Sequence, residues 1–359
     1  RYPVPTQGAL QSSTTDFEEL GYDPAGNVVS RRLRDGQTVQ QSFDALGRLT
    51  LIDLPNSSYN EHDRAFGYDL LGRMTRAETL GHTLLTFGYD ALGRMTSEFN
   101  VHGTKTSAYD LAGRRTRLTH PDGFFVDYDY NVTGEVTAIR ENGATSGPGV
   151  LAVYSYDPSS SAGQMGIATG VTFGNGTFAH LSYDAALRPS GRTIDLAGTV
   201  NDLTLGFTYN PASQIVWNSR TNDAYSFTAL ATGIVAEVPN GLNQLVNRDG
   251  AALTYDARGN LLSAPGADYM YTAENRLTAR QGVGYMDYDA LGRLRWVYDY
   301  QTTRYDQFDY DGHMVIAENR AASENGSPPL PPRRRTEPAR AGGSASPASF
   351  RLRAGRGRG

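Results

Sequence analysis

The stretch Tyr89-Asp90-Ala91-Leu92-Gly93-Arg94-Met95-Thr96 recurs along the chain, about every 21 residues in its early part. Close copies are Phe43-Asp44-Ala45-Leu46-Gly47-Arg48, Tyr68-Asp69-Leu70-Leu71-Gly72-Arg73, Tyr109-Asp110-Leu111-Ala112-Gly113-Arg114 and Tyr288-Asp289-Ala290-Leu291-Gly292-Arg293. Looser copies start at Tyr22 (with Asp23 and Gly26), Tyr130, Tyr156, Tyr183, Tyr209, Tyr255 (with Asp256 and Gly259), Tyr271 and Tyr310. A fixed period of this kind decides the architecture before any single residue does. It also moves the question of function from an active site to a surface or an enclosure.

Each unit reads as a β-hairpin corner. Aromatics two apart, such as Phe66 and Tyr68 or Phe87 and Tyr89, fall on one face of a strand. The aspartate opens a turn, because its carboxylate accepts from backbone amides ahead of it. The glycine three residues on supplies the left-handed conformation of a three-residue hairpin loop. Asp90 then faces Arg94, and Tyr89 faces Met95, which builds a ladder of ring–aliphatic pairs along the sheet. The Tyr, Asp, Gly and Arg positions are therefore read as scaffold. Their Asp–Arg pairs are read as exposed turn closures worth at most about 1 kcal/mol each.

A second turn signal separates the units: Asp35-Gly36, Gly81-His82, His102-Gly103 and Asp122-Gly123. One hairpin cannot bury its own apolar face, but neighbours in a row can. The fold expected is all-β: antiparallel hairpins in a long, open sheet that coils as its strands twist. From about residue 141 the spacing lengthens to 26 or 27, with Gly- and Ser-rich insertions at 142–149 and 158–163 read as longer loops at sheet edges. After Tyr255 it tightens to 16 and 17. Asn240-Gly241-Leu242-Asn243-Gln244-Leu245 reads as a degenerate copy.

Composition narrows the function. Charged residues are 20% of the 359, and mean hydropathy is −0.47, as in a soluble protein. No apolar run is long enough to span a membrane. Cys is absent, which removes disulfides, thiolate metal sites and a cysteine nucleophile. The chain opens on Arg1 with no signal sequence, the pattern of an excised fragment. The formal charge of −5 is uneven: residues 320–359 hold nine Arg and two Glu, a net +7, which leaves −12 on the repeat body. An acidic body argues against nucleic-acid binding. The expected division is a repeat region over 1–319 and a disordered basic Pro/Arg/Gly-rich tail over 320–359.

No phosphate loop, Gly-x-Ser-x-Gly elbow or His-Glu-x-x-His pattern occurs, so no enzyme, catalytic residue or cofactor is expected. His62, His82 and His102 lie twenty apart, but no accompanying carboxylates complete a metal site. With 22 Tyr, many beside Asp, a carbohydrate-binding face is the alternative use of the aromatics.

With these residues in hand, the chain resembles the YD-repeat proteins: the bacterial Rhs group, its wall-associated and insecticidal-toxin-complex relatives, and teneurins. The resemblance runs over about residues 20–319 and rests on the Tyr-Asp-x-x-Gly-Arg copies. Tyr271-Thr-Ala-Glu-Asn-Arg-Leu-Thr278 and Phe308-Asp-Tyr-Asp-Gly-His-Met-Val-Ile-Ala-Glu318 look like the later part of an Rhs core. The resemblance implies a sheet that spirals into a hollow shell around a C-terminal toxin, freed by aspartate-dependent self-cleavage near an Asp-Pro-x-Gly motif. Asp23-Pro24 and Asp157-Pro158 belong to repeat turns, so that role is not carried to them, and both cleavage segment and toxin are expected to be missing here. The tail also reads as out of frame: shifted by one base, some codon choices for Asn325–Pro338 encode a Gly-Asp-Glu-Pro-like sequence of the family. By analogy the setting is secreted or cell-surface. Two readings follow. The first is a partial toxin shell with an inward apolar lining. The second is a cell-surface adhesin that binds carbohydrate or a neighbouring cell through an outward row of unpaired Tyr beside Asp or Asn. Exposed sheet edges would also favour self-association.

Overall fold

The computed structural model describes residues 1–6, 11–55, 61–196, 198–226, 233 and 235–322. The expected tail lies outside the described residues from 323 onward. The final strand, Met314–Ala322, runs across the boundary expected at Arg320.

Eighteen strands, from Glu19–Tyr22 to Ile215–Arg220, pair antiparallel in chain order and form one open sheet. A small three-stranded sheet follows (Glu237–Pro239, Leu245–Arg248, Ala251–Ala252). Eight more strands, from Thr254–Tyr255 to Met314–Ala322, form a last sheet. The expected fold class holds: hairpins in series, joined among the described residues by short turns and insertions. The insertion at 158–163 differs from a plain loop. It includes part of a one-turn helix, Ser161–Gln164, whose cap Ser160 accepts from the Gly163 amide at 3.0 Å.

Alternation gives the first sheet a face that can be followed from strand to strand. Ile52 lies opposite Arg64, Phe66 opposite Ala77, Ala77 opposite Leu85, Phe87 opposite Glu98, and Glu98 opposite Lys105. Residues directly opposed in a ladder share a face. That face is where the core forms, because the chain folds back and the last sheet lies across it as a second row. The turn tips of the second row enter the apolar floor of the first. Ala273 packs with Leu33, Val39, Ile52 and Leu54. Ala290 packs with Ala77 and Leu85, with Phe66, Phe87 and Leu291 at the rim. A third cluster, Trp296, Tyr298 and Tyr305, lies within the second row.

Candidate functional site: the repeat turn and the seam between rows

The recurring turn is a closed hydrogen-bonded unit. The Asp90 amide donates to the Arg94 carbonyl at 3.0 Å, and the Gly93 amide to the Asp90 carbonyl at 3.0 Å. Asp90 Oδ1 accepts from the Leu92 and Arg94 amides, both at 2.9 Å. Asp90 Oδ2 accepts from Arg94 Nε at 2.6 Å. Gly93 takes φ 83°, where an L side chain is strained. The turns at Asp44–Arg48, Asp69–Arg73, Asp110–Arg114 and Asp289–Arg293 repeat this pattern.

Looser copies keep the geometry with other chemistry. Asn27 and Asn260 replace the arginine and donate to Asp23 and Asp256. The degenerate copy uses Asn240 and Gln244, with Asn243 at φ 58° in place of glycine.

Each arginine also reaches forward. Arg94 Nη1 donates to the Asp110 carbonyl of the next turn at 2.9 Å, and its guanidinium sits 4.8 Å from the Tyr109 ring centre. Arg48 on Tyr68, Arg73 on Tyr89, Arg114 on Tyr130 and Arg293 on Tyr310 do the same, at 4.7–4.9 Å. The tyrosines reach back. The Tyr89 hydroxyl donates to the Met74 carbonyl at 2.7 Å, and Tyr109 to Met95 at 2.7 Å. Tyr255 and Tyr288 likewise donate to Leu245 and Leu277. The carbonyl taken lies beside the register shift that ends each hairpin, as between Gly67 and Tyr68, where ladder pairing is interrupted. Phe43 has no hydroxyl for this bond. Tyr22 is largely exposed.

The expectation of Asp–Arg pairs as exposed turn closures is corrected here. Side chains of Arg94 and Asp90 are only 25% and 23% exposed. Each arginine ties its own aspartate to the next repeat's ring and backbone, so the pair is a connector along the row.

The seam between rows is the part that the repeat pattern did not reveal. Arg293 bonds Asp289 of its own turn and Glu98 of the first row at 3.0 Å. Lys105 bonds Glu98 at 3.1 Å and also the Tyr310 carbonyl. Asn100 donates to Asp309 at 2.7 Å. Arg64 meets Glu274 and the Ala290 carbonyl. Arg34 donates to the Arg258 carbonyl at 3.1 Å, and Arg258 lies 3.5 Å from Asp35. Arg115 makes a two-pronged pair with Asp311 at 2.8 and 2.5 Å, which drives the carboxyl below its ordinary range. Side chains of Glu98, Lys105 and Arg293 are at most 8% exposed. The one available signal was negative: Glu98 and Lys105 occupy alternating positions where an apolar residue was due. The inner face is therefore apolar with charged interruptions at the seam.

His62 and His82 stack at 3.5 Å, and His102 does not join them. Among the described residues no three His, Cys, Asp or Glu side chains group as metal ligands, and no helix is long and apolar enough to cross a membrane.

Comparison with protein families finds the RHS Repeat model matching residues 22–59 and 89–124. Comparison with curated proteins finds no match. Among solved structures the chain is similar to TcdB2-TccC3-TEV, with 12% identity over 83% of this chain and 19% of that one, TM-score 0.42. It is similar to TcdB2-TccC3, with 12% identity over 86% of this chain and 17% of that one, TM-score 0.36. The chain thus spans less than a fifth of the length of either. The turn that the family model recognises is the turn that recurs, with its Asp–Arg clasp and its tyrosine, through both rows, and this chain carries RHS repeats over residues 22–59 and 89–124.

Proposed function

We propose that the chain is a non-catalytic stretch of wall from an Rhs-type shell, and that in a longer protein this wall encloses a C-terminal toxin. The observation that carries the reading is the row-on-row packing: turns of the second row bury Ala273 and Ala290 on one face of the first. A sheet that docks on its own earlier turn builds a continuous wall, and a wall needs no reactive group. The setting that goes with it is secreted or cell-surface. The adhesin reading has less support, because it needs an outward row of free tyrosine hydroxyls. Those of Tyr68, Tyr89, Tyr109 and Tyr130 are committed to backbone carbonyls.

Limited proteolysis of a natural protein that carries this chain and a downstream segment tests the proposal. The downstream segment should resist trypsin while the repeats are folded and be cut once they are denatured. Cleavage at equal rates in both states would end the enclosure reading.

A further inference from the structure

The same turn position has two opposite environments in this one chain. In the second row Ala273 and Ala290 are 2% and 0% exposed, seated on the first row's floor. At that position the first row's turns carry Leu70, Leu111 and Val132, which are 101%, 106% and 103% exposed, and the next position of the turn adds Leu46, Leu71 and Leu92, 73–77% exposed. Side chains of this size, this exposed and in a row with the period of the repeat, form an apolar ridge with no partner among the described residues.

The matching floor is also present and uncovered by the second row. Followed through the register, the face that receives Ala273 and Ala290 continues past Leu118 and Val126 to Phe173, Leu181, Ile194, Leu205 and Phe207. Phe173 is 42% exposed, and the other four are half-buried. Among the described residues, no hydrogen bond or ion pair joins the second row to the first beyond Arg115. Among the described residues there is thus a ridge without a floor and a floor without a ridge.

We propose that the leucine ridge of one copy docks on the floor between Gly170–Phe173 and Ile215–Arg220 of a second copy. The join would repeat between molecules the contact that already joins the two rows within one. The pitch matches by construction. Ridge tips recur every two strands, and the floor is made of the same strands at the same spacing of about 4.8 Å. Leucine tips reach farther into such a floor than the alanines that seat the second row. The proposal does not depend on an enclosed cargo.

The test is sedimentation of the whole chain over a range of concentrations. The native chain should associate. Leu92→Asp with Leu111→Asp should weaken association about tenfold or more, because apolar anchors dominate such contacts. The melting temperature should stay close to that of the native chain, since those side chains are 77% and 106% exposed in the monomer. Ile194→Asp with Leu205→Asp should weaken association as much from the floor side, with some loss of melting temperature because both side chains are half-buried. A mixture of the ridge variant and the floor variant should recover a one-to-one complex, because each retains one intact half. A native chain that stays monomeric overturns the proposal. So does a ridge variant that associates as the native chain does, which would assign the contact to the open edge of Ile215–Arg220 instead. Failure of the mixture to recover the complex would equally count against it.

Discussion

At the residue scale the repeat is a three-part clasp of tyrosine, aspartate and arginine, and each part can be removed separately. Tyr89→Phe deletes the hydroxyl that the Met74 carbonyl accepts, at an expected cost of about 1 kcal/mol. Phe43 shows that the ring alone still fits the position. A denaturant midpoint unchanged by Tyr89→Phe would show the bond to be idle. Gly93→Ala meets no atom within 4 Å, so its cost of about 1 kcal/mol is conformational alone. Leu187, at φ 60° in the same turn position, should give the reverse sign when changed to Gly. The carboxylates set a pH dependence. Asp44 and Asp184 are held below the ordinary range, first by their own turn's arginine and then by backbone amides. A lowered folded value stabilises above the unfolded value of about 4, and that stabilisation is lost as pH falls through the folded values. Asp287 works oppositely: burial pushes it up, so its contribution favours the acid side and fades as pH rises. The lowered turn groups are the more numerous, so denaturant midpoints are expected to drop below about pH 4. A profile flat from pH 7 to pH 2 would contradict the clasp.

At the scale of elements, the hairpins were legible and their docking was not. Period, turn glycine and paired aromatics specify a meander, and the strands pair in that order. Local pattern carries no information on which turn will meet which strand hundreds of residues away. Ala273 and Ala290 read as ordinary turn alanines, although they are the tips that the first row buries. Arg64, Glu98 and Lys105 belong to none of the recurring motifs, although they are the polar side of the same contact. The reach of each tyrosine to the preceding repeat was hidden for a related reason: it depends on a bulge in the partner strand, which spacing does not show. Two changes test the seam. Ala290→Leu adds bulk at a fully buried position and should cost about 1–3 kcal/mol. Glu98→Gln leaves Lys105 buried without a carboxylate, takes from Arg293 one of its two, and should cost about 3 kcal/mol. If both variants melt with the native chain, the second row does not rest where the contacts place it.

At the scale of the molecule, the two sheets behave as successive courses of one wall. The first row is an open meander with apolar turn tips on one side and a floor on its inner face. The second row occupies the floor of its first ten strands through its turns. Charged pairs line the join, those of Glu98 with Lys105 and Arg293 buried and that of Arg115 with Asp311 partly exposed. A wall of this kind extends by adding courses, which is why the repeated turn, not any single pocket, carries the functional reading. The absence of cysteine from the chain makes the course-on-course claim directly measurable. Arg115 and Asp311 form the partly exposed end of the seam, with side chains 27% and 28% exposed. The double variant Arg115→Cys with Asp311→Cys, treated with a short bismaleimide at low protein concentration, should give an intramolecular cross-link in most monomers. Single-cysteine controls should give none. If the double variant remains uncross-linked while both thiols react with a monofunctional maleimide, the second row does not lie on the first, and the wall described here does not exist.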